Sequence, residues 1–235
     1  MKLVNLALAV TALGAVAGPA PAQAITSAAD AAKPAPFDIV RTQVVSQGAD
    51  VVFRVEVSGK AGELRPKAVG QFAGSAVYSY VWPTSLDSAS VGFESGQGIL
   101  ALAVTFHPDF DDAAYGGVNR HVWHPHWVVL VKDDACGKGA LKVRDIPAGA
   151  TPKVPATWPN VPLLIDSPTY PMSIATDTVE VKVPATVIGA TEGVKFDGVT
   201  SALQVNANLH APLLCISDVF DVASGDLSLP GRISR

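Results

Sequence analysis

Residues 51–57, Val-Val-Phe-Arg-Val-Glu-Val, decide the fold class, because apolar and charged side chains alternate along them with a period of two. The odd-numbered residues are Val or Phe and share one face, whereas Arg54 and Glu56 share the other. This alternation predicts a β-strand with one face in the core and one face in water. The glycine-rich residues 59–62 that follow predict a turn.

Similar segments recur along the chain. Residues 99–106 (ILALAVTF) and 127–131 (WVVLV) are apolar on both faces, which predicts strands buried on both sides. Further strands are predicted at 76–82, 141–146, 178–187, 201–210 and 213–220. Seven prolines between residues 147 and 171 exclude a helix or a central strand there. We therefore expect an all-β fold, a single β-sandwich or barrel-like domain with a long proline-rich loop.

Residues 1–24 have the pattern of a secretory signal peptide. Lys2 precedes an apolar Leu/Val/Ala stretch that ends in Ala22-Gln23-Ala24, so cleavage is predicted after Ala24. The Ala- and Pro-rich residues 25–36 predict a flexible N-terminal segment, which leaves 37–235 as the all-β domain. The apolar stretch is too short to span a membrane, and no second one of about 20 residues follows. The predicted location is the periplasm, the medium or the outer cell surface.

The cysteines indicate the redox environment of the protein, and its net charge limits the classes of partner. Cys136 and Cys215 are the two cysteines, and an even number in an exported protein predicts one disulfide, with free thiols or metal ligands as the alternatives. The formal net charge is −4 at pH 7, and a negative surface repels phosphate backbones. We therefore expect no nucleic-acid partner.

Four of the five histidines fall within residues 107–126, between two apolar predicted strands; they are His107, His121, His124 and His126. In an extended backbone His124 and His126 share a face, and pairing of the flanking strands would bring His107 beside them. Neutral imidazole is a common ligand of copper and zinc, so the cluster predicts a metal site. His210, on the polar face of the predicted strand 201–210, is a candidate distant ligand. The alternatives are strand-capping polar residues and acid–base catalysis.

The composition also narrows the choice of metal. Met172 is the single methionine after the signal peptide, which argues against a methionine-rich copper(I) carrier. Neither cysteine is followed closely by His and Met, as in blue-copper sites, and no Cys-x-x-Cys-His motif for haem occurs. An imidazole-dominated site remains, which favours copper or zinc. Asp109–Asp112 lacks the further oxygen ligands of a calcium loop, so a solvated acidic turn is favoured over calcium.

The sequence favours a binding protein over an enzyme. It contains no Gly-x-Ser-x-Gly elbow and no phosphate-binding loop, and no carboxylate pair stands out among its 21 acidic residues. An uncharacterised hydrolase is a third choice. The alternative from another class is a metal-free β-sandwich that binds a ligand or partner through the proline-rich loop and a set of aromatic residues, Tyr78, Tyr80, Trp82 and Trp158.

The chain resembles the secreted copper-binding proteins of methane-oxidising bacteria in residues 121–127, His-Val-Trp-His-Pro-His-Trp, and in the turn 107–112, His-Pro-Asp-Phe-Asp-Asp. In that family two histidines and an oxidised tryptophan, kynurenine, hold copper at the cell surface. The resemblance implies copper binding for scavenging, storage or homeostasis, a periplasmic or outer-surface location, and no catalysis. It further implies that His124 or His126 is one ligand, Trp123 the modified residue and His210 the distant ligand.

Overall fold

The computed structural model describes residues 23–112 and 119–233, and its all-β architecture confirms the predicted fold class. The described strands are β1 (Ile25–Thr26), β2 (Ile39–Gln47), β3 (Asp50–Val57), β4 (Ala76–Pro83), β5 (Ile99–Phe106), β6 (His124–Lys132), β7 (Leu141–Val143), β8 (Ile165–Asp166), β9 (Met172–Ala175), β10 (Thr178–Pro184), β11 (Lys195–Phe196), β12 (Val199–Val205), β13 (Leu214–Val222) and β14 (Gly231–Arg232). Short helical segments are α1 (Ala185–Ile188) and the 3-10 turns Ala35–Phe37, Ser88–Val91, Asn119–His121 and Asp134–Cys136. Within the described residues, no helix has the length and apolar character needed to cross a membrane.

Six strands close into an antiparallel barrel in the order β5-β4-β12-β13-β7-β6, and β6 pairs back onto β5. The two-residue strand β8 adds to the outer side of β6. A second antiparallel sheet has the order β1-β2-β3-β10-β9, and β11 pairs with β14. The architecture is therefore a small barrel with a sheet packed against it.

Strand β5 shows how the barrel and the sheet share a core. Its even-numbered residues, such as Leu102, pack in the apolar layer that also contains Phe53 of β3. On its other face, Ala101 and Ala103 belong to a separate apolar cluster inside the barrel. The prediction of a strand buried on both faces is thus confirmed. Trp127 of β6, opposite Leu102, is fully buried and packs edge-on against Phe53.

Two strands differ from their predicted bounds in ways that matter for the histidines. β6 begins at His124 rather than at residue 127, because His124 and His126 pair with Thr105 and Ala103 of β5. β12 ends at Val205, well before the predicted end at residue 210. The Asn206 side chain bonds the backbone of the following turn, including the carbonyl oxygen of His210 at 3.1 Å. His210 therefore lies in a turn and not on a strand face.

The N-terminal part of the described chain is more ordered than its composition predicts. Residues 25–36, expected to be flexible, contain β1, which pairs with β2, and Ile25 is buried. Strand β2 itself was not predicted, because polar residues 41–43 interrupt its alternation. The predicted signal peptide, residues 1–24, lies outside the described residues except for Gln23 and Ala24.

The predicted disulfide between Cys136 and Cys215 is confirmed, with 5.5 Å between the two Cα atoms. It joins the turn after β6 to β13. In the described part of the chain β7 pairs with β13 at one position, Lys142 opposite Cys215. The covalent bond thus reinforces the sparsest seam of the barrel wall.

Replacing both cysteines with serine is expected to lower the free energy of unfolding by about 4 kcal/mol, because the bridge closes a long loop of the unfolded chain. The two cysteines are 79 residues apart. Urea unfolding of the wild type and of C136S/C215S measures the difference. A reductant should bring the wild type to the stability of the variant and leave the variant unchanged. Equal stabilities of wild type and variant without reductant would contradict the expectation.

Candidate metal centre

Three imidazoles and one carboxylate meet at one end of the barrel. His107 directly follows β5, His124 and His126 lie at the start of β6, and Asp112 belongs to the connection between the two strands. All four side chains are buried, and their potential ligand atoms lie within 4.8 Å of one another. The two flanking strands, β5 and β6, are paired, and this pairing brings His107 beside the two histidines of β6. This set could hold a metal ion.

The three Nε2 atoms converge on one oxygen atom. Asp112 Oδ2 lies 3.1 Å from His124 Nε2, 3.3 Å from His126 Nε2 and 3.9 Å from His107 Nε2. His107 and His124 meet edge to face, with ring centroids 4.6 Å apart. The rings therefore approach the carboxylate from different directions, as ligands around an ion do.

The other nitrogen of each ring contacts a backbone carbonyl. These contacts run from His107 Nδ1 to Phe110 O (2.8 Å), from His124 Nδ1 to Val122 O (3.0 Å) and from His126 Nδ1 to Asp166 O (3.0 Å). Because a carbonyl oxygen only accepts, each Nδ1 carries the proton and donates it. Each Nε2 then presents a lone pair to the cluster, which is the arrangement that orients metal-binding histidines.

The centre consequently gathers more acceptors than donors: the Asn119 amide donates to Asp112 Oδ2 at 2.8 Å and lies 3.4 Å from His124 Nε2, but it does not reach His107 Nε2. The lone pairs on the histidine Nε2 atoms and the carboxylate of Asp112 all face inward. Within the described residues, His107 Nε2 is buried and has no hydrogen-bond partner. A single proton could bridge one of these contacts but not all three, whereas a cation at their centre satisfies them together.

Asn119 and strand β8 hold the ligands in place. Asn119 is fully buried; its Nδ2 donates to Asp112 Oδ2 at 2.8 Å, and its Oδ1 accepts from the Asp112 backbone N–H at 3.2 Å. β8 comes from the proline-rich connection and pairs with β6, so that the Asp166 carbonyl reaches His126. Ser167 Oγ lies 3.1 Å from the same ring nitrogen. Such outer contacts fix the orientation of a ligand and its tautomer.

The electrostatics favour the protonation states that a metal requires. Burial, together with the neighbouring His124, lowers the pKa of His107 to about 4. Burial lowers the pKa of His126 to about 3. Burial alone would raise the pKa of Asp112, but the three histidines, with His126 foremost, outweigh it and hold that pKa below its usual range. At neutral pH the site therefore offers neutral imidazoles at His107 and His126 beside an ionised carboxylate.

The structure does not bring the other predicted ligands into the cluster. His121 is exposed on a 3-10 turn, and His210 is exposed in the turn after β12. Trp123 is buried on the side away from the histidines, because it directly precedes His124 and so faces the opposite direction. Its indole N–H donates to Gly62 O at 3.2 Å, and its ring packs against Tyr80. The set expected from the sequence thus reduces to His107, His124 and His126.

Asp112 is the member of the cluster that the sequence analysis missed. It was assigned to a solvated acidic turn, but it is buried, and this corrects the expectation. The two neighbouring aspartates have partners outside the cluster. Asp109 Oδ1 accepts from the backbone N–H groups of Val69 and Gly70, and Asp111 pairs with Arg120. No spacing in the sequence distinguishes these three carboxylates. No feature of the sequence points to Asn119 as a partner of Asp112 either.

The aromatic surface expected for a metal-free binding protein is reduced in the described structure, because two of its four residues lie in the core, whereas Tyr78 and Trp158 are half-buried. Tyr80 and Trp82 are fully buried. The Tyr80 hydroxyl donates to Pro36 O and accepts from Gly62 N–H, and the Trp82 indole N–H donates to Thr42 Oγ1. These rings stabilise the core between the barrel and the sheet and are not available to a partner.

Three imidazole nitrogens and one carboxylate oxygen suit a divalent transition metal, whereas calcium prefers oxygen ligands throughout. No family model, curated protein or solved structure matches this chain. The geometry of the centre therefore carries the functional argument.

Proposed function

We propose that this is an exported protein that binds one divalent copper ion and serves in copper scavenging, storage or homeostasis. The ligands are His107, His124, His126 and Asp112. The observation that carries the proposal is the convergence of three Nε2 atoms on Asp112 Oδ2, with every Nδ1 bonded to a carbonyl.

Copper is favoured over other ions by the ligand set. Among the divalent first-row metals, copper is the one that nitrogen-rich sites bind most tightly, and the carboxylate favours a divalent ion over copper(I). The resemblance of residues 107–127 to secreted copper-binding proteins supports the same ion. Zinc is the second candidate, because four-coordinate sites built from histidine and aspartate also suit it.

Export is supported by two features. Residues 1–24 have the pattern of a signal peptide. The Cys136–Cys215 disulfide is of the kind that persists in the periplasm and outside the cell. In such a compartment a buried, preformed site would hold divalent copper, and no reductant would be needed for binding.

Metal binding is tested by native mass spectrometry and isothermal titration with copper(II) and zinc(II). The wild type is expected to bind one ion per chain, and H124A/H126A to lose that binding while keeping its β-sheet circular dichroism. H121A/H210A is the matched control, since it also removes two histidines but leaves the centre intact. Stoichiometric copper on H124A/H126A would contradict the assignment. Preference for zinc when both ions are present would make zinc the resident metal.

A further inference from the structure

The barrel contains a cavity of about 430 Å³ beside the metal centre. Sites for small molecules have volumes of about 300–1,000 Å³ and mostly apolar walls. Here the walls are apolar side chains of the barrel strands, among them Val77, Val81, Val128, Val143 and Leu203. His107, His126 and Asp112 also line the cavity, so the metal centre forms one end of it.

Small side chains create this space. Ser79 of β4 pairs with Thr105 of β5 on one side and with Ser201 of β12 on the other, and all three line the cavity. Ala103 lines it as well, opposite His126. In barrels of this size large inward side chains normally fill the interior. The sequence instead leaves the interior open next to the metal ligands.

One polar group in this wall lacks a partner. Among the described residues, Thr105 Oγ1 is buried without a hydrogen bond, and Thr105 is only 6% exposed. Ser79 and Ser201 satisfy each other, with 2.8 Å between their Oγ atoms. A buried hydroxyl without a partner is costly, so Thr105 calls for a ligand atom in the cavity. Its position opposite His124 places that atom near the metal centre.

The charge of a loaded centre indicates the kind of ligand. A divalent ion with three neutral imidazoles and the Asp112 carboxylate leaves one net positive charge. An unbalanced charge in a buried site is unfavourable. A ligand with one negative charge would neutralise it, and the apolar walls require that the rest of that ligand be hydrocarbon.

The cavity reaches the surface through the sparse seam of the barrel. On the side toward β7, β13 is paired at Cys215 alone in the described residues, and residues 217–219 beyond it are exposed. Val219 and Leu227 line the cavity there and are 47% and 40% exposed. Ser217 and Asp218 line this opening too, so it is partly polar, and Val219 and Leu227 form the apolar part along which a hydrocarbon chain can enter.

We propose that the barrel binds an aliphatic monocarboxylate, whose carboxylate completes the coordination of the metal and accepts a hydrogen bond from Thr105 Oγ1. Its hydrocarbon chain lies along the cavity. This inference rests on the proposed metal binding. Dodecanoate, which joins one carboxylate to an unbranched hydrocarbon chain, is the probe for this cavity of about 430 Å³.

The test is titration of the copper-loaded protein with dodecanoate, followed by the visible and electron paramagnetic resonance spectra of copper and by calorimetry. Dodecanoate is expected to shift the copper spectrum and to bind at least ten times more tightly to the loaded than to the metal-free protein. Dodecanol, which has the same chain without the charge, is expected to bind at least ten times more weakly than dodecanoate. Equal binding of the two compounds, or equal binding to loaded and metal-free protein, would overturn the proposal.

Two variants separate the cavity from the metal centre. Ala103→Leu fills the cavity and Thr105→Val removes the hydroxyl, and each is expected to weaken dodecanoate binding at least tenfold while copper still binds. Ala175→Leu, on the exposed face of β9, is the matched control for the added side chain. A normal copper spectrum that dodecanoate does not change would overturn this inference alone. Absence of any copper spectrum in the wild type would overturn the proposed function itself.

Discussion

Acidification of the metal-free protein from pH 6.5 to pH 4 is expected to remove several kcal/mol from its free energy of unfolding. An unfolded histidine titrates near pH 6.5, whereas the pKa of His107 is lowered to about 4 and that of His126 to about 3 in the fold. Between these values the unfolded chain binds protons that the native protein excludes, so stability falls as the pH falls. Each buried histidine contributes about 1.4 kcal/mol per pH unit across that window.

Urea unfolding at pH 7, 5.5 and 4.5 in the presence of a chelator measures this slope. H121Q/H210Q is the control, because it removes two exposed histidines and should leave the slope unchanged. His107→Gln should reduce the slope by about one histidine's share. Saturating zinc(II) should shift the loss of stability to lower pH, because an ion that binds the native state stabilises it. A stability that does not vary between pH 7 and 4.5 would refute the buried neutral state of these rings.

Replacing Asp112 with asparagine is expected to lower the affinity for copper(II) or zinc(II) by a factor of 100 or more. Even contacts outside the ligand shell contribute about 10–100-fold to metal affinity. This substitution replaces the charged carboxylate itself with a neutral amide of nearly the same shape. The fold should persist, because the remaining amide oxygen can still accept from Asn119 Nδ2. Competition titration with a chromophoric chelator measures the affinity.

Asp111→Asn is the matched control for that substitution. It removes the same charge in the same turn, but Asp111 pairs with Arg120 on the outside of the cluster. Its effect on metal affinity should be less than threefold. Equal losses for the two variants would mean that the general negative charge of the turn, and not a coordinating oxygen at Asp112, attracts the ion.

The sequence predicts the all-β class and most strand positions well, because their signal is local. Alternation marks β3, and the doubly apolar residues 99–106 mark a strand with a core on each side. The sequence leaves a sandwich and a barrel open, since closure depends on which strands distant in sequence pair, such as β7 with β13. Nor does it mark β8, a two-residue strand within a proline-rich stretch.

The candidate metal centre, like the fold, can be predicted only in part from the sequence. His107, His124 and His126 follow from strand parity and from the pairing of β5 with β6. Asp112 does not, because its burial arises from the path of the connection and from Asn119, and three carboxylates in that turn look alike. The polar alternation of 204–210 predicts that His210 lies on a strand face, yet the strand ends at Val205 and the Asn206 side chain donates to His210 O in the turn that follows.

The position of the ligands along the chain has a consequence for how the protein assembles. All four lie between residues 107 and 126, within one β-hairpin, whereas the strands that complete the barrel, β12 and β13, begin only at Val199 and Leu214. Short loops close at a smaller entropic cost than long ones, so the hairpin can form and capture an ion before the barrel exists. An ion held by the incomplete chain stabilises that chain too. The rise in melting temperature on metal addition should therefore be smaller than the affinity of the native site implies.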